Sequence, residues 1–113
     1  WCGEIISEGA QDIIDGFLNI TGTNFQATDG TNTAEQPWTA STEHQVGIAY
    51  GDGSLAINVD GTWSADSSYD GTILTGILDL FRAGTFGGKI REYQRSDAAS
   101  YAAAKTIIEG LMP

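Results

Sequence analysis

The sequence has little cysteine, little proline and no long apolar run, and each shortage excludes a class of protein. Its one cysteine, Cys2, cannot form a disulfide within the chain. This argues against a small secreted module held together by disulfides, although not against an exported or virion-borne protein. Only two prolines interrupt the chain, and no apolar stretch approaches the roughly 20 residues that a membrane-spanning helix needs.

Basic residues are also scarce, with five Lys and Arg against fifteen Asp and Glu, and the formal net charge is −10. A surface of this sign repels phosphate backbones and anionic lipids, so we expect neither nucleic acid nor a membrane surface as a partner. Without a specific ligand, the same acidity simply favours solubility.

The residues that are abundant indicate an all-β protein of one domain. Fifteen glycines, together with Ser, Thr, Asn and Asp, separate short apolar strings, which predicts many tight turns between strands. A chain of 113 residues can bury about two-thirds of its unfolded surface. Residues 1–113 are therefore treated as a single domain. Because the sequence starts with Trp1, we expect it to be a fragment or a terminal domain of a longer protein.

The clearest structural pattern is the stretch 44–61, HQVGIAYGDGSLAINVDG, which predicts a β-hairpin. Its residues alternate between apolar and small or polar side chains, as a half-buried strand requires. The Gly51-Asp52-Gly53 turn supplies the positive-φ positions of a tight connection. We expect Val46, Ile48, Tyr50, Leu55, Ile57 and Val59 to form the core face, with Gln45, Gly47, Ala49, Ala56, Asn58 and Asp60 opposite.

The remaining pattern adds further short strands and one helix. Strands are predicted over 1–7, 17–21, 24–28, 77–82 and 89–94, and 31–41 is predicted to be a loop or an edge strand because of Pro37. The segment 98–105 predicts a helix with Ser96 or Asp97 as its N-cap and Gly110 as its C-cap. Tyr101, Ala104, Ile108 and Leu111 share one helical stripe that can dock on a sheet. These elements favour an antiparallel β-sandwich with a short C-terminal helix.

Residues 17–111 resemble the laminin-G-like, concanavalin A-like domains. The resemblance rests on the H-x-V-x-I-x-Y strand, the GDGS turn and the L-x-I-x-V-D-G strand of the hairpin, and on GKIREY followed by RSD and a short helix. The last strand is shorter than the usual form of that family, and the chain is short for a complete domain. The resemblance implies a jelly-roll sandwich and a lectin-like role, of the kind found in phage tail, fibre or capsid-decorating proteins and in bacterial surface proteins.

Catalytic and zinc-binding patterns are absent from the sequence. Glycoside hydrolases of this fold carry carboxylates on one strand in an E-x-D-x-E arrangement, whereas the six glutamates here are scattered. The single His44 is interpreted as a structural or surface residue rather than a base, and one His with one Cys argues against zinc. We therefore predict that the protein is not an enzyme and has no catalytic residues.

Two loop features remain as candidate binding residues. Asp66 and Asp70 share a Ser/Asp-rich loop, where carboxylates can bind calcium or only cap turns; calcium is kept as a possible ligand, and no metal or cofactor is assigned. Trp38, Trp63 and Tyr69 lie in polar segments and can present rings to a sugar, with Asp66 and Asp70 nearby for hydroxyls. Alternatively, the tryptophans cap the core.

From these residues we predict a non-catalytic, lectin-like adhesion domain on a virion or extracellular surface, binding a glycan. The rival prediction is a structural assembly module that contacts neighbouring subunits, or copies of itself as a homo-oligomer, through an unpaired strand edge. A glycoside hydrolase remnant is the third alternative.

Overall fold

The structure, a computed structural model, consists mostly of antiparallel strands with one short C-terminal helix, which confirms the all-β class. It describes residues 2–5, 11–14, 18–20, 23–28, 31–39, 42–69, 89–92 and 98–112, the first three ranges and 89–92 as strand backbone only. The strands are β1 (Cys2–Ile5), β2 (Gln11–Ile14), β3 (Leu18–Ile20), β4 (Asn24–Thr28), β5 (Thr33–Pro37), β6 (Thr42–Gly51), β7 (Ser54–Val59), β8 (Thr62–Trp63), β9 (Ser67–Ser68) and β10 (Lys89–Glu92), and the helix is α1 (Tyr101–Leu111).

The strands form two sheets. Sheet A has the order β10-β1-β6-β7-β8, with β9 also paired to β7, and sheet B has the order β2-β3-β4-β5. Sheet B is a simple meander, and so is the β6-β7-β8 part of sheet A. The strand β1 is the exception, because it lies between β6 and β10, which are distant from it in sequence.

The predicted hairpin forms the centre of sheet A. Ile48 pairs with Ile57 and Val46 with Val59, so the apolar residues of both arms share one face. The two turns are built around Asp52 and Asp60, which have φ values of 49° and 52°. Each precedes a glycine that also has positive φ. Both central positions of such two-residue turns require positive φ, which explains the Asp-Gly sequences.

The predicted core face of the hairpin is buried against sheet B. The core cluster contains Val46, Leu55, Ile57 and Val59 from sheet A and Phe25, Ala27 and Ala34 from sheet B. Ile48 and Tyr50 are partly buried and pack against this cluster. On β4 and β5 alternate side chains face the core, and the buried ones are Phe25, Ala27 and Ala34.

The opposite face of the hairpin is also buried, which alternation alone does not predict. Ala49, Ala56 and Asn58 are almost completely inaccessible, because α1 lies over this side of β6. At Gly47 the helix approaches so closely that an added Cβ would clash with Cγ2 of Ile108. The small residues on this face therefore allow a helix to sit directly on the sheet.

Several local predictions need correction. The N-cap of α1 is Ser100, not Ser96 or Asp97, since its side chain accepts from the backbone N–H of Ala103 at 3.1 Å. Gly110 lies inside the helix, and the C-cap is Met112.

The observed strands also differ in detail from the predicted ones. Residues 31–41 contain the edge strand β5, which was one of the two predicted alternatives. Two short strands, β8 and β9, flank Asp66, which was predicted to lie on a loop. The strand β2 was not predicted, and the predicted strand 77–82 lies outside the described residues.

Candidate functional site

The described residues bring five chemically active side chains together beside α1, and we call them the Trp63 cluster: Trp63, Asp66, Tyr101, Lys105 and Glu109. Trp63 comes from β8 and Asp66 from the segment before β9, whereas the other three lie on α1. Trp63 pairs with Asn58, which places both residues on the helix-facing side of sheet A. The helical members are four residues apart and so lie on one stripe.

The cluster is connected by polar contacts around the indole ring of Trp63. Its Nε1–H donates to Oε1 of Glu109 at 2.9 Å, and the Nζ atom of Lys105 lies 4.6 Å from the ring centroid. The hydroxyl of Tyr101 donates to Oδ1 of Asp66 at 2.5 Å. Lys105 also contacts that oxygen, at 3.4 Å. An aromatic surface is thus surrounded by two carboxylates, an ammonium and a phenol.

Two pKa values in the cluster are displaced in opposite directions by this geometry. The hydrogen bond from Tyr101 lowers the pKa of Asp66; partial burial opposes the effect, and the Lys105 ammonium reinforces it. Burial raises the pKa of Tyr101, and the adjacent Asp66 carboxylate raises it further. The contact therefore favours an ionised Asp66 and a protonated Tyr101.

The first turn of α1 is fixed to the central hairpin by a separate contact. Oδ2 of Asp52, in the β6–β7 turn, accepts the backbone N–H of Tyr101 at 2.8 Å. A carboxylate at a helix N-terminus satisfies a donor that has no intrahelical partner. This contact positions Tyr101 and, through the helix, Lys105 and Glu109.

The structure separates the three aromatic residues that the sequence suggested as one contact region. The Trp38 ring lies 5.9 Å from that of Phe25 and 6.4 Å from that of His44. The Tyr69 ring lies 5.5 Å from that of Tyr50, near the other end of β6. Residues 44 and 50 of one strand are about 20 Å apart at ~3.4 Å per residue. Trp38 and Tyr69 thus pack against opposite ends of the core, whereas Trp63 faces α1.

The two candidate carboxylates also differ. Asp66 belongs to the Trp63 cluster and is more than half exposed, whereas Asp70 lies outside the described residues. Within the described ranges, no group of three or more His, Cys, Asp and Glu side chains could hold a metal ion. The donors already bound to Asp66, a hydroxyl and an ammonium, are hydrogen-bond partners of the kind that sugar hydroxyls can replace.

Sequence reasoning missed Tyr101, Lys105 and Glu109 as site residues. Their spacing of four was visible, but only Tyr101 was placed on a stripe, and that stripe was assigned to docking. A polar and aromatic stripe at this spacing is the signal that could have identified them.

His44, which the sequence suggested to be a structural or surface residue, is buried. Its Nδ1 atom lies 2.6 Å from Oδ2 of Asp60, and its Nε2 atom lies 2.8 Å from the carbonyl oxygen of Thr39. The other oxygen of Asp60 accepts the backbone N–H of Gln45. The ring thus ties together the start of β6, the turn after β7 and the segment after β5.

No helix in the described part of the chain is long and apolar enough to cross a bilayer. Comparison of the chain with models of protein families, with curated protein sequences and with solved structures found no match.

Proposed function

We propose that the chain is a non-catalytic, glycan-binding recognition domain of a virion or cell-surface protein, with the Trp63 cluster as its contact region. The observation that carries this proposal is the half-buried indole of Trp63 with the carboxylates of Asp66 and Glu109 beside it. Sugars present C–H groups that pack on an aromatic face and hydroxyls that bind carboxylates. The cluster offers both kinds of contact within one surface.

The charge of the chain narrows the glycan class. With a net charge of −10, the protein surface repels glycans that carry sialic acid, sulfate or uronic acid. This repulsion is strongest at low ionic strength, where salt screens it least. The preferred ligand is therefore a neutral saccharide.

The proposed fold is a concanavalin A-like jelly roll. Its support is the apolar cluster shared by sheets A and B, since two sheets that pack face to face are the basis of such sandwiches. The predicted strand 77–82 would add to this architecture, and an experimental structure of the full chain would test the proposal through its complete strand order.

The functional proposal is tested on an array of neutral and acidic oligosaccharides. We expect binding to neutral glycans, lost in Trp63→Ala, because an aromatic anchor commonly contributes about 2 kcal/mol, or roughly thirtyfold in affinity. Trp38→Phe is the matched control, since Trp38 packs against the other side of sheet A. Binding that survives in Trp63→Ala but not in Trp38→Phe would place the contact region elsewhere, and an array without any signal would refute glycan binding.

A subunit-assembly function is the second candidate, and one observation favours it. Ile107 and Leu111 are 37% and 49% exposed and lie four residues apart on α1. Adjacent exposed apolar side chains of this kind are typical of protein contacts. Analytical ultracentrifugation of the wild type and of Ile107→Ser/Leu111→Ser tests this function. If α1 mediates assembly, the wild type should sediment as an oligomer and the double variant as a smaller species.

A further inference from the structure

The helix α1 is held on sheet A by one small apolar contact, where Ile108 lies against Gly47, and by polar contacts along its sides. None of its residues is buried. Its polar contacts are with Asp52 and Asp66 at Tyr101, the first helical residue. Asp66 also contacts Lys105 near the middle of the helix, and Trp63 contacts Glu109 near its end. Contacts between exposed charged or polar groups contribute little to stability, because water competes for both partners. The attachment is therefore much weaker than that of an element with a buried apolar face.

The surface beneath α1 is preformed and contains an unused hydrogen-bond donor. Asn58 is completely buried there. Its Oδ1 atom accepts the backbone N–H of Gly61 at 2.8 Å, but its Nδ2 atom has no partner among the residues that the structure describes. A buried donor without an acceptor destabilises the covered state, and this penalty is removed when the helix leaves and water or a ligand supplies an acceptor.

The helix also occupies the binding chemistry of Trp63. The Lys105 ammonium lies over a face of the indole ring, and Glu109 accepts its N–H. Asp66 is likewise occupied by Tyr101 and Lys105. The two sheet-side groups that would contact a sugar, Trp63 and Asp66, are thus engaged by residues of α1, whereas Tyr101, Lys105 and Glu109 would leave with the helix.

We propose that α1 is a displaceable cover over the glycan site, and that its release exposes the Nδ2 donor of Asn58 as a further ligand contact. This inference rests on the proposed function, because it concerns the same Trp63 cluster. The ligand that fits the uncovered site is a neutral saccharide with an oxygen acceptor, such as a hydroxyl, ring or N-acetyl carbonyl oxygen, close to the sugar face that stacks on Trp63.

The covered and uncovered states should differ in helix content as well as in ligand access. An 11-residue helix is marginal in water without packing, so α1 should unfold when released. If the open state has a population of ~1–10%, complete release raises the apparent affinity by about ten- to a hundredfold. Release can therefore be measured both with and without a sugar.

The close contact at Gly47 provides a way to displace the helix without changing a cluster residue. The methyl group in Gly47→Ala would clash with Ile108 and lie 3.1 Å from Cε of Met112. Ile108→Ser gives a second route, because it removes the same apolar contact and leaves the sheet unchanged. The double variant Gly47→Ala/Ile108→Ala is the matched control, in which the new methyl group occupies the space vacated by the shorter side chain.

Hydrogen exchange of the backbone amides of 101–111 reports release in the absence of a ligand. We expect exchange to accelerate at least tenfold in Gly47→Ala and in Ile108→Ser, with 54–59 still protected, and to return toward the wild-type rate in the double variant. Wild-type protection of 101–111 in both release variants would overturn the inference. If Gly47→Ala does not fold, Ile108→Ser alone decides the question.

Binding is then measured with lactose, maltotriose and N-acetylated chitotriose as probes. We expect Gly47→Ala and Ile108→Ser, the two variants that release the helix, to bind at least one probe about tenfold more tightly than the wild type. Adding Asn58→Asp to Ile108→Ser should abolish this gain in affinity. Equal binding by the wild type and a variant with a released helix would overturn the cover while leaving the proposed function intact. A further outcome is that faster exchange shows the helix to be released, and yet no probe and no glycan on the array is bound. That result would refute the proposed function, and with it the proposal that α1 covers a glycan site. Unchanged binding in the Asn58 variant would exclude that contact.

Discussion

Ile57 lies in the core of the protein, so its replacement by a charged residue should strongly reduce the stability of the fold. Its side chain is fully buried in the cluster shared by the two sheets. In Ile57→Asp a carboxylate without a partner would enter this cluster, and we expect a loss of several kcal/mol in the free energy of unfolding. Urea denaturation followed by circular dichroism measures the loss. Thr33→Asp, on an exposed position of β5, is the control and should change stability little; an Ile57→Asp variant with wild-type stability would contradict the assignment of the core face.

The contact between Asp66 and Tyr101 predicts a stability that falls at both ends of the pH scale. The pKa of Asp66 is lowered on folding, so its contribution is present above the unfolded value of about 4 and is lost as the pH falls below it. The pKa of Tyr101 is raised, so its contribution is complete below about pH 10 and is lost as the pH rises further.

Thermal melting of the wild type and of Tyr101→Phe across the pH range checks this prediction. Because Tyr101→Phe cannot donate to Asp66, the difference in melting temperature between the two proteins should be largest near neutral pH and shrink in acid and in alkali. A difference that stays constant with pH would show that the hydrogen bond does not stabilise the fold.

At the scale of the element, the start of α1 depends on one capping side chain. Ser100 accepts the N–H of Ala103, and replacing such a cap by alanine costs about 1 kcal/mol. Ser100→Ala should therefore lower the helical signal and the melting temperature, whereas Ser100→Asp should retain both because aspartate is an equally good cap. If the two variants behaved alike, the cap would not hold the first turn.

The hairpin and the helix differ in how well their local sequences predict them. Alternation and Asp-Gly turns are properties of neighbouring residues, so β6 and β7 were predicted with nearly correct bounds. The N-cap was misplaced because Ser96, Asp97 and Ser100 are all suitable capping residues. The structure adds a contact that the local sequence does not show, since Asp52 of the hairpin turn accepts the first helical amide.

At the scale of the whole molecule, the site could be predicted only in part. Trp63 and Asp66 were identified as candidates from their residue types and loop positions. Their partners Tyr101, Lys105 and Glu109 lie far along the chain and meet them only because α1 docks on sheet A. The helical stripe predicted that α1 docks on a sheet, but no local pattern specifies which strands it meets, and for the same reason the separation of Trp38 and Tyr69 from Trp63 was not predictable.

The position of β1 between β6 and β10 has a consequence for the order in which the chain folds. Cys2 pairs with both Gln45 and Glu92, so sheet A joins segments from nearly the whole chain, whereas β6 and β7 are joined by a two-residue turn. Closing long loops costs entropy that a local hairpin avoids.

We therefore expect β6 and β7 to associate early, and the edge of sheet A formed by β1 and β10 to complete last. Pulse-labelling hydrogen exchange during refolding measures this order: amides of 54–59 should become protected before those of 2–5, and the reverse order would contradict it.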